Sequence, residues 1–202
     1  MNKRIRLFGN KELNNFVRIT LLLAIAGYLL FKILDSYGFF IEQITCDAEE
    51  VVKKNDKEFL ASNVGYLFDK TKGRTNERAF EGNYSIKLTP TNQYGMSITF
   101  DTPKDNEEIE ASVWYNMHKI SPDTSGYAFI VVSVGKNFWK GGYEAIEKKN
   151  GWGKLSLKVT IPKANYHDPI VVYCWNSTKN DVFFDNMTIK RNNYFKFFRQ
   201  EK

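Results

Sequence analysis

Apolar and polar residues alternate with a period of two along much of the chain after residue 44. The clearest run is 152–161, WGKLSLKVTI, in which every second residue from Leu155 to Ile161 is apolar before Pro162 ends the run. Successive side chains of a β-strand point to opposite faces of the sheet, so this pattern predicts a strand with one buried face and one face in water. The runs 84–88, 96–100 and 109–116 follow the same scheme.

Three further runs, 127–134, 170–175 and 182–189, are apolar on both faces, which is typical of central strands in a sandwich. Turn-forming segments such as PTNQYG, SPDTSG and STKND separate the runs, and no helical pattern longer than about two turns follows residue 50. Residues 44–190 are therefore predicted to form an all-β sandwich of about nine or ten strands.

One long apolar segment near the N-terminus does not fit this pattern. Residues 16–34 carry no charge between Ile19 and Phe31, and they are about long enough to cross a bilayer. Apolar residues occur all round the predicted helix, unlike the one-sided pattern of a helix that packs on a core. We interpret the segment as an uncleaved transmembrane signal anchor, with a cleaved signal peptide and a soluble helix as the alternatives.

The charges that flank this segment predict its orientation. The basic residues before the uncharged stretch that begins at Ile19 are Lys3, Arg4, Arg6, Lys11 and Arg18, whereas no Lys or Arg lies between Lys32 and Lys53. The positive-inside rule then places the N-terminus in the cytoplasm. The predicted order is a cytoplasmic tail (1–15), a single-pass span of the cytoplasmic, or inner, membrane (16–34), a linker (35–43), a periplasmic or extracellular sandwich (44–190) and a basic aromatic tail (191–202).

The net charge of +6 does not indicate a nucleic-acid-binding protein. Much of the positive excess lies in the two terminal segments, and no basic helix or arginine-rich groove occurs between them. The two cysteines, Cys46 and Cys174, fit an oxidising compartment if they form a disulfide; two separate free thiols are the alternative.

Several short segments, taken in order, resemble a known family. They are CDAEE (46–50), AFEGNYSIKLTP (79–90), EIEASVWYN (108–116), GWGKLSLKVTIP (151–162) and VVYCWNSTKNDVFFDNMTIK (171–190). This succession resembles the jelly-roll carbohydrate-binding modules of the galactose-binding-like superfamily. The resemblance covers about residues 44–190 and implies a jelly-roll sandwich. It also implies a structural calcium ion between Glu49, or its neighbours Asp47 and Glu50, and Asp185, since carboxylate oxygens are the ligands that calcium prefers. The alternative is that Asp185 caps a turn and Glu49 is solvated.

Binding of a sugar would require exposed aromatic rings with polar neighbours, because pyranose rings stack their apolar faces on Trp and Tyr. Trp114 is the first candidate, since it lies on the polar face of its predicted strand beside Asn116. Tyr173 and Trp175 share one face of a later strand, opposite Cys174, and Trp139 lies in the glycine-rich stretch FWKGGY, which predicts a loop or an edge strand. Burial in the core is the alternative for each ring.

The sequence does not predict an enzyme. His118 and His167 stand alone, and no pair of carboxylates lies in a setting that would support acid–base chemistry. Two functions are therefore predicted: a non-catalytic, membrane-anchored module that binds a glycan at the cell envelope, or an envelope scaffold subunit whose sandwich binds protein partners.

Overall fold

The structure is a computed structural model that describes residues 10–36, 41–69, 71–103, 106–117, 126–162 and 167–192. The predicted linker at 37–40 and the tail from residue 193 onward lie outside this part of the chain. One helix, α1 (Asn10–Ser36), contains the predicted span. Its segment Asn15–Leu34 is long and apolar enough to cross a membrane, with a mean hydropathy of 2.0, and none of it is buried.

The described residues after α1 form β-strands. In chain order these are β1 (Ile41–Cys46), β2 (Val51–Lys54), β3 (Lys57–Ala61), β4 (Leu67–Phe68), β5 (Arg74–Thr75), β6 (Ser85–Leu88), β7 (Tyr94–Thr99), β8 (Glu107–Met117), β9 (Ala128–Val134), β10 (Phe138–Gly142), β11 (Ala145–Lys149), β12 (Trp152–Ile161), β13 (Ile170–Asn176) and β14 (Val182–Asn192).

Two main sheets form a β-sandwich, which confirms the predicted fold class. The larger sheet has seven strands in the order β11-β12-β8-β14-β6-β5, with β1 also paired to β14. The smaller sheet has four strands in the order β10-β9-β13-β7, and β2, β3 and β4 form a separate three-stranded sheet. The first and last strands of the described residues, β1 and β14, are therefore neighbours.

The core lies between the inward faces of the sheets. On β12, Leu155 and Ile161 are completely buried while Lys158 is exposed, and on β8 Ile109 and Val113 are buried in the same way. The predicted alternation is therefore observed. Each such aliphatic side chain contributes about 1.5–3 kcal/mol to folding when it leaves water.

The described residues contain fourteen strands, more than the nine or ten predicted. The additional strands are short, and several lie around residues 51–75, where no long alternating run exists. In the β2–β3 hairpin, the turn residues Asn55 and Asp56 both have positive φ, of 51° and 59°. These angles match the two-residue turns that follow the natural twist of a hairpin, and Asn and Asp tolerate them better than most residues do.

A buried ion pair joins the end of β14 to the start of β8. Arg191 donates two hydrogen bonds to Glu107 Oε1, one of them from Nε at 2.9 Å, and its guanidinium carbon lies 4.5 Å from the centre of the Phe100 ring. Arg191 therefore belongs to the sandwich, although the tail was predicted to begin there. At the other end, β1 starts at Ile41, within the predicted linker.

The two cysteines are unpaired in this structure, which is the second of the two alternatives that the sequence left open. Cys46 on β1 and Cys174 on β13 are free thiols, both buried. Burial raises the pKa of the Cys46 thiol to about 12. It also raises the pKa of Cys174 well above its usual value, so both thiols are protonated at neutral pH.

Candidate functional site

The outward face of the four-stranded sheet carries a group of aromatic side chains. On β13, Val172 and Cys174 point into the core, so Tyr173 and Trp175 point outward, as predicted. Phe129 on β9 is paired with Trp175, so the two rings lie on the same face. We call the whole group the aromatic face, and its members are Tyr94, Tyr127, Phe129, Trp139, Tyr143, Tyr173 and Trp175.

Trp175 lies at the centre of the aromatic face. Phe129 stacks beside it with ring centroids 5.0 Å apart and an interplanar angle of 18°, and Tyr94 lies nearly parallel to it at 6.3 Å. Trp139 meets Trp175 edge-on at 6.2 Å, and Tyr173 meets Tyr94 edge-on at 5.8 Å. These spacings lie in the range at which aromatic pairs attract each other, so the rings hold one another in place.

Four of these rings remain substantially exposed. The exposed fraction is 45% for Tyr94, 49% for Trp139, 44% for Tyr143 and 56% for Tyr127. Large apolar groups gathered on one surface indicate a binding surface more often than single exposed ones do. The four-stranded sheet therefore presents an exposed aromatic surface.

Gly141 makes room for two of the rings. A Cβ atom at this position would lie 2.8 Å from Trp139 and 2.9 Å from Phe129, both on the aromatic face. A side chain here would therefore displace both rings. Most of the stretch FWKGGY forms the edge strand β10 (Phe138–Gly142), and Gly141 leaves the space that the Trp139 and Phe129 rings occupy.

Trp175 also carries an unsatisfied donor. Its indole Nε1 is buried and has no hydrogen-bond partner among the described residues. A buried donor without a partner costs about 1–3 kcal/mol.

Trp114 and Asn116 are not exposed, contrary to the prediction. They point away from the core as expected, but they lie on the seven-stranded sheet, whereas the aromatic face belongs to the four-stranded sheet. Trp114 is 8% exposed because Phe80 stacks on it with centroids 4.0 Å apart, and Trp152 and Phe183 pack around the pair.

Both polar atoms of the Asn116 side chain form hydrogen bonds. Its Oδ1 accepts a hydrogen bond from Arg78 at 3.0 Å, and its Nδ2 donates to the carbonyl oxygen of Gly151 at 2.7 Å. Trp114 still lines a polar cleft of about 420 Å³ whose other lining residues are Thr45, Asp47, Phe80, Glu81, Lys149, Lys154, Asn186 and Thr188. Neither residue contributes to the aromatic face.

The carboxylates of Glu49 and Asp185, the predicted calcium ligands, accept hydrogen bonds from backbone N–H groups. Oε1 of Glu49 accepts hydrogen bonds from the N–H groups of Asn83 and Tyr84, both at 2.7 Å. Oδ2 of Asp185 accepts from Phe80 at 2.7 Å and from Glu81 at 3.3 Å. Among the described residues, no three acidic, His or Cys side chains are placed to hold a metal ion. The arrangement fits a calcium ion poorly.

Asp185 has an unusual protonation equilibrium. Burial raises its pKa to about 7, the nearby Asp47 adds to this rise, and the hydrogen bonds from the N–H groups of Phe80, Asn186 and Glu81 oppose it. Desolvation of the charged carboxylate is therefore the dominant effect.

The aromatic face has rings on which a ligand can stack and tyrosine hydroxyl groups that can form hydrogen bonds. Its seven side chains include no acid–base pair. Of the two histidines, His167 is exposed and His118 lies outside the described residues. Sequence reasoning missed Tyr94, Tyr127 and Phe129 as members of this surface. Because the run 127–134 is apolar on both faces, its periodicity could not show which face Phe129 occupies.

No protein-family model matches this chain, and no curated protein does. Among solved structures, the chain is similar to a family 16 carbohydrate-binding module, with 19% identity over 57% of this chain and 82% of that one, and a TM-score of 0.41. It is also similar to the CBM22-1 xylan-binding domain of Paenibacillus barcinonensis Xyn10C, with 15% identity, 74% and 95% coverage and a TM-score of 0.43.

A third similar structure is the C-terminal CBM6 of the laminarinase LamC from Zobellia galactanivorans, with 11% identity, 73% and 98% coverage and a TM-score of 0.38. These three structures are carbohydrate-binding modules. The β-sandwich fold itself is established by the strand pairing described above.

Proposed function

We propose that this chain is a non-catalytic, membrane-anchored module that binds a glycan through its aromatic face. The observation that carries the proposal is the grouping of seven aromatic side chains on one side of the four-stranded sheet, four of them widely exposed. The C–H groups of a pyranose ring pack on such rings, and the tyrosine hydroxyls can bond to its hydroxyl groups.

The dimensions of the aromatic face suit an extended ligand. Its rings belong to or flank all four strands of the smaller sheet, from Tyr94 on β7 to Trp139 on β10. Strands lie about 4.8 Å apart, so the rings extend over about 14 Å. More than one sugar ring can therefore stack along this surface.

The charge pattern of the two outward faces supports this assignment. The paired outward positions of β9, β10 and β13 carry no charged side chain; they are Phe129, Val131, Ser133, Trp139, Gly141, Val171, Tyr173 and Trp175. The outward face of the larger sheet instead carries exposed ion pairs such as Lys158–Glu108 and Lys190–Glu110, both at 3.6 Å. The charged face suits contact with water, and the aromatic face suits contact with a ligand.

We assign α1 to the cytoplasmic membrane as a single-pass anchor. The segment Asn15–Leu34 is apolar and wholly unburied, and lipid would cover it. The basic residues before it support a cytoplasmic N-terminus and a sandwich at the cell envelope, in the periplasm or outside the cell.

The test is a screen of the full-length protein, purified in detergent, on a broad glycan and polysaccharide array. We expect selective binding that Trp139→Ala weakens by about tenfold or more, the equivalent of about 1.4 kcal/mol. Ile146→Ala, which removes an exposed apolar side chain outside the aromatic face, is the matched control and should bind normally. Absence of binding by the folded protein, or equal binding by Trp139→Ala, would contradict the proposal.

A scaffold subunit is the second candidate, and one observation favours it. The amide predicted to lie beside a sugar-binding ring is engaged elsewhere, since Asn116 accepts a hydrogen bond from Arg78 and donates one to the carbonyl oxygen of Gly151. An apolar aromatic surface with few amides also suits a protein partner. Loss of a co-purifying membrane protein in Trp139→Ala, together with silence on the array, would support this candidate.

A further inference from the structure

The side chain of Arg74 stabilises the turn that follows β1. Arg74 on β5 donates from Nε to the carbonyl oxygen of Ala48 at 2.7 Å and from Nη2 to the carbonyl oxygen of Glu49 at 2.8 Å. Its guanidinium carbon lies 3.5 Å from the centre of the Tyr84 ring. One planar cation thus binds two adjacent carbonyl groups and stacks on an aromatic ring.

This turn requires such a partner. Ala48 is 1% exposed and has a φ of 62°, a left-handed conformation that is costly for a residue with a side chain. Its carbonyl group is removed from bulk water and needs a hydrogen-bond donor. The N–H of Glu49 donates to Oδ1 of Asp47 at 3.1 Å, and Arg74 supplies the donors for the carbonyl groups.

The same turn carries Glu49, one of the calcium ligands that the resemblance implies. Calcium takes six to eight oxygen ligands, including carboxylates and backbone carbonyls. The carbonyl oxygens of Ala48 and Glu49 are bound by Arg74, and Oε1 of Glu49 is bound by the N–H groups of Asn83 and Tyr84. The donors present are a guanidinium and backbone amides.

We propose that Arg74 replaces the structural calcium ion that the family resemblance implies. It joins the turn after β1 to β5 and to Tyr84, while the carboxylates of Glu49 and Asp185 hold the 80–84 loop through its N–H groups. The sandwich therefore holds this corner without a metal ion, and its stability does not depend on calcium.

The test is thermal unfolding of the full-length protein in detergent, followed by tryptophan fluorescence, in excess EDTA and in millimolar CaCl2. We expect the Tm of the wild-type protein to agree within about 1 °C in the two solutions. This arm requires no variant. A rise of about 3 °C or more in CaCl2 would overturn the proposal, because binding to the folded state alone raises Tm.

Two variants test the role of Arg74 directly. Arg74→Lys keeps the charge but loses the planar pair of donors, and we expect its Tm to fall by about 5 °C, with a larger fall in Arg74→Ala. Lys57→Ala, which removes an exposed cation from β3, is the control and should melt like the wild-type protein. If Arg74→Lys has the same Tm as Lys57→Ala, the proposal is overturned. This comparison can be made even if Arg74→Ala does not fold.

Discussion

At the residue scale, the protonation of Asp185 connects the structure to a measurable pH dependence. Its pKa is raised from 3.8 to about 7 in the folded protein, chiefly by burial. Between these two values the folded state binds more protons than the unfolded state does. This group's contribution to stability is therefore complete below about pH 4 and is lost as the pH rises to about 7.

We expect the wild-type protein to lose about 2–4 kcal/mol of unfolding free energy between pH 4.5 and pH 7.5 relative to Asp185→Asn. The variant keeps an oxygen that can accept from the N–H of Phe80 but cannot ionise. Denaturant unfolding at the two pH values measures this difference. Parallel pH profiles for the two proteins would show that the pKa of Asp185 is not raised in the folded protein.

At the scale of secondary-structure elements, one buried ion pair fixes the end of the last strand. Arg191 on β14 and Glu107 on β8 are both largely buried, whereas the neighbouring pair Lys158–Glu108 is exposed. Removing one partner of a buried pair leaves an uncompensated charge, which is far more costly than losing an exposed pair.

Arg191→Met should therefore lower the unfolding free energy by about 3–5 kcal/mol, and Lys158→Ala by no more than about 1 kcal/mol. Denaturant titration of both variants measures the contrast. Equal effects of the two substitutions would mean that the pair contributes no more than a surface contact.

Part of the strand arrangement was predictable from the sequence. The alternation of apolar and polar residues predicted both β8 and β12, and the residues that it predicted to face inward are buried. This was possible because periodicity is a local property of the chain. The burial of Trp114 was not predictable in this way. Phe80, which covers it, is 34 positions earlier in the sequence and belongs to a loop without a periodic pattern.

The aromatic face was predictable in part for the same reason. Tyr173 and Trp175 share a strand, so their common face follows from alternation. Their grouping with Phe129 and Trp139 depends on how β9 pairs with β13 and β10, and pairing is a non-local property that a single sequence does not display. The resemblance to carbohydrate-binding modules predicted the fold but not which sheet carries the exposed rings.

At the scale of the whole molecule, the sandwich has two chemically different outward faces. The larger sheet carries paired charges, and the smaller sheet carries the aromatic face. The four tryptophans divide evenly between them, with Trp114 and Trp152 buried on the larger sheet and Trp139 and Trp175 on the smaller one. Fluorescence can therefore report on the two faces separately.

The most direct test of glycan binding at the aromatic face is iodide quenching of tryptophan fluorescence in the full-length protein. Trp139 is about half exposed whereas Trp114 and Trp152 are nearly covered, so quenching should report mainly on the aromatic face. Trp139→Phe, which removes this signal, provides the baseline. We predict that a glycan selected on the array reduces quenching of the wild-type protein toward that of Trp139→Phe. A glycan that binds and leaves the quenching unchanged would contradict the account, because its site would then lie elsewhere on the molecule.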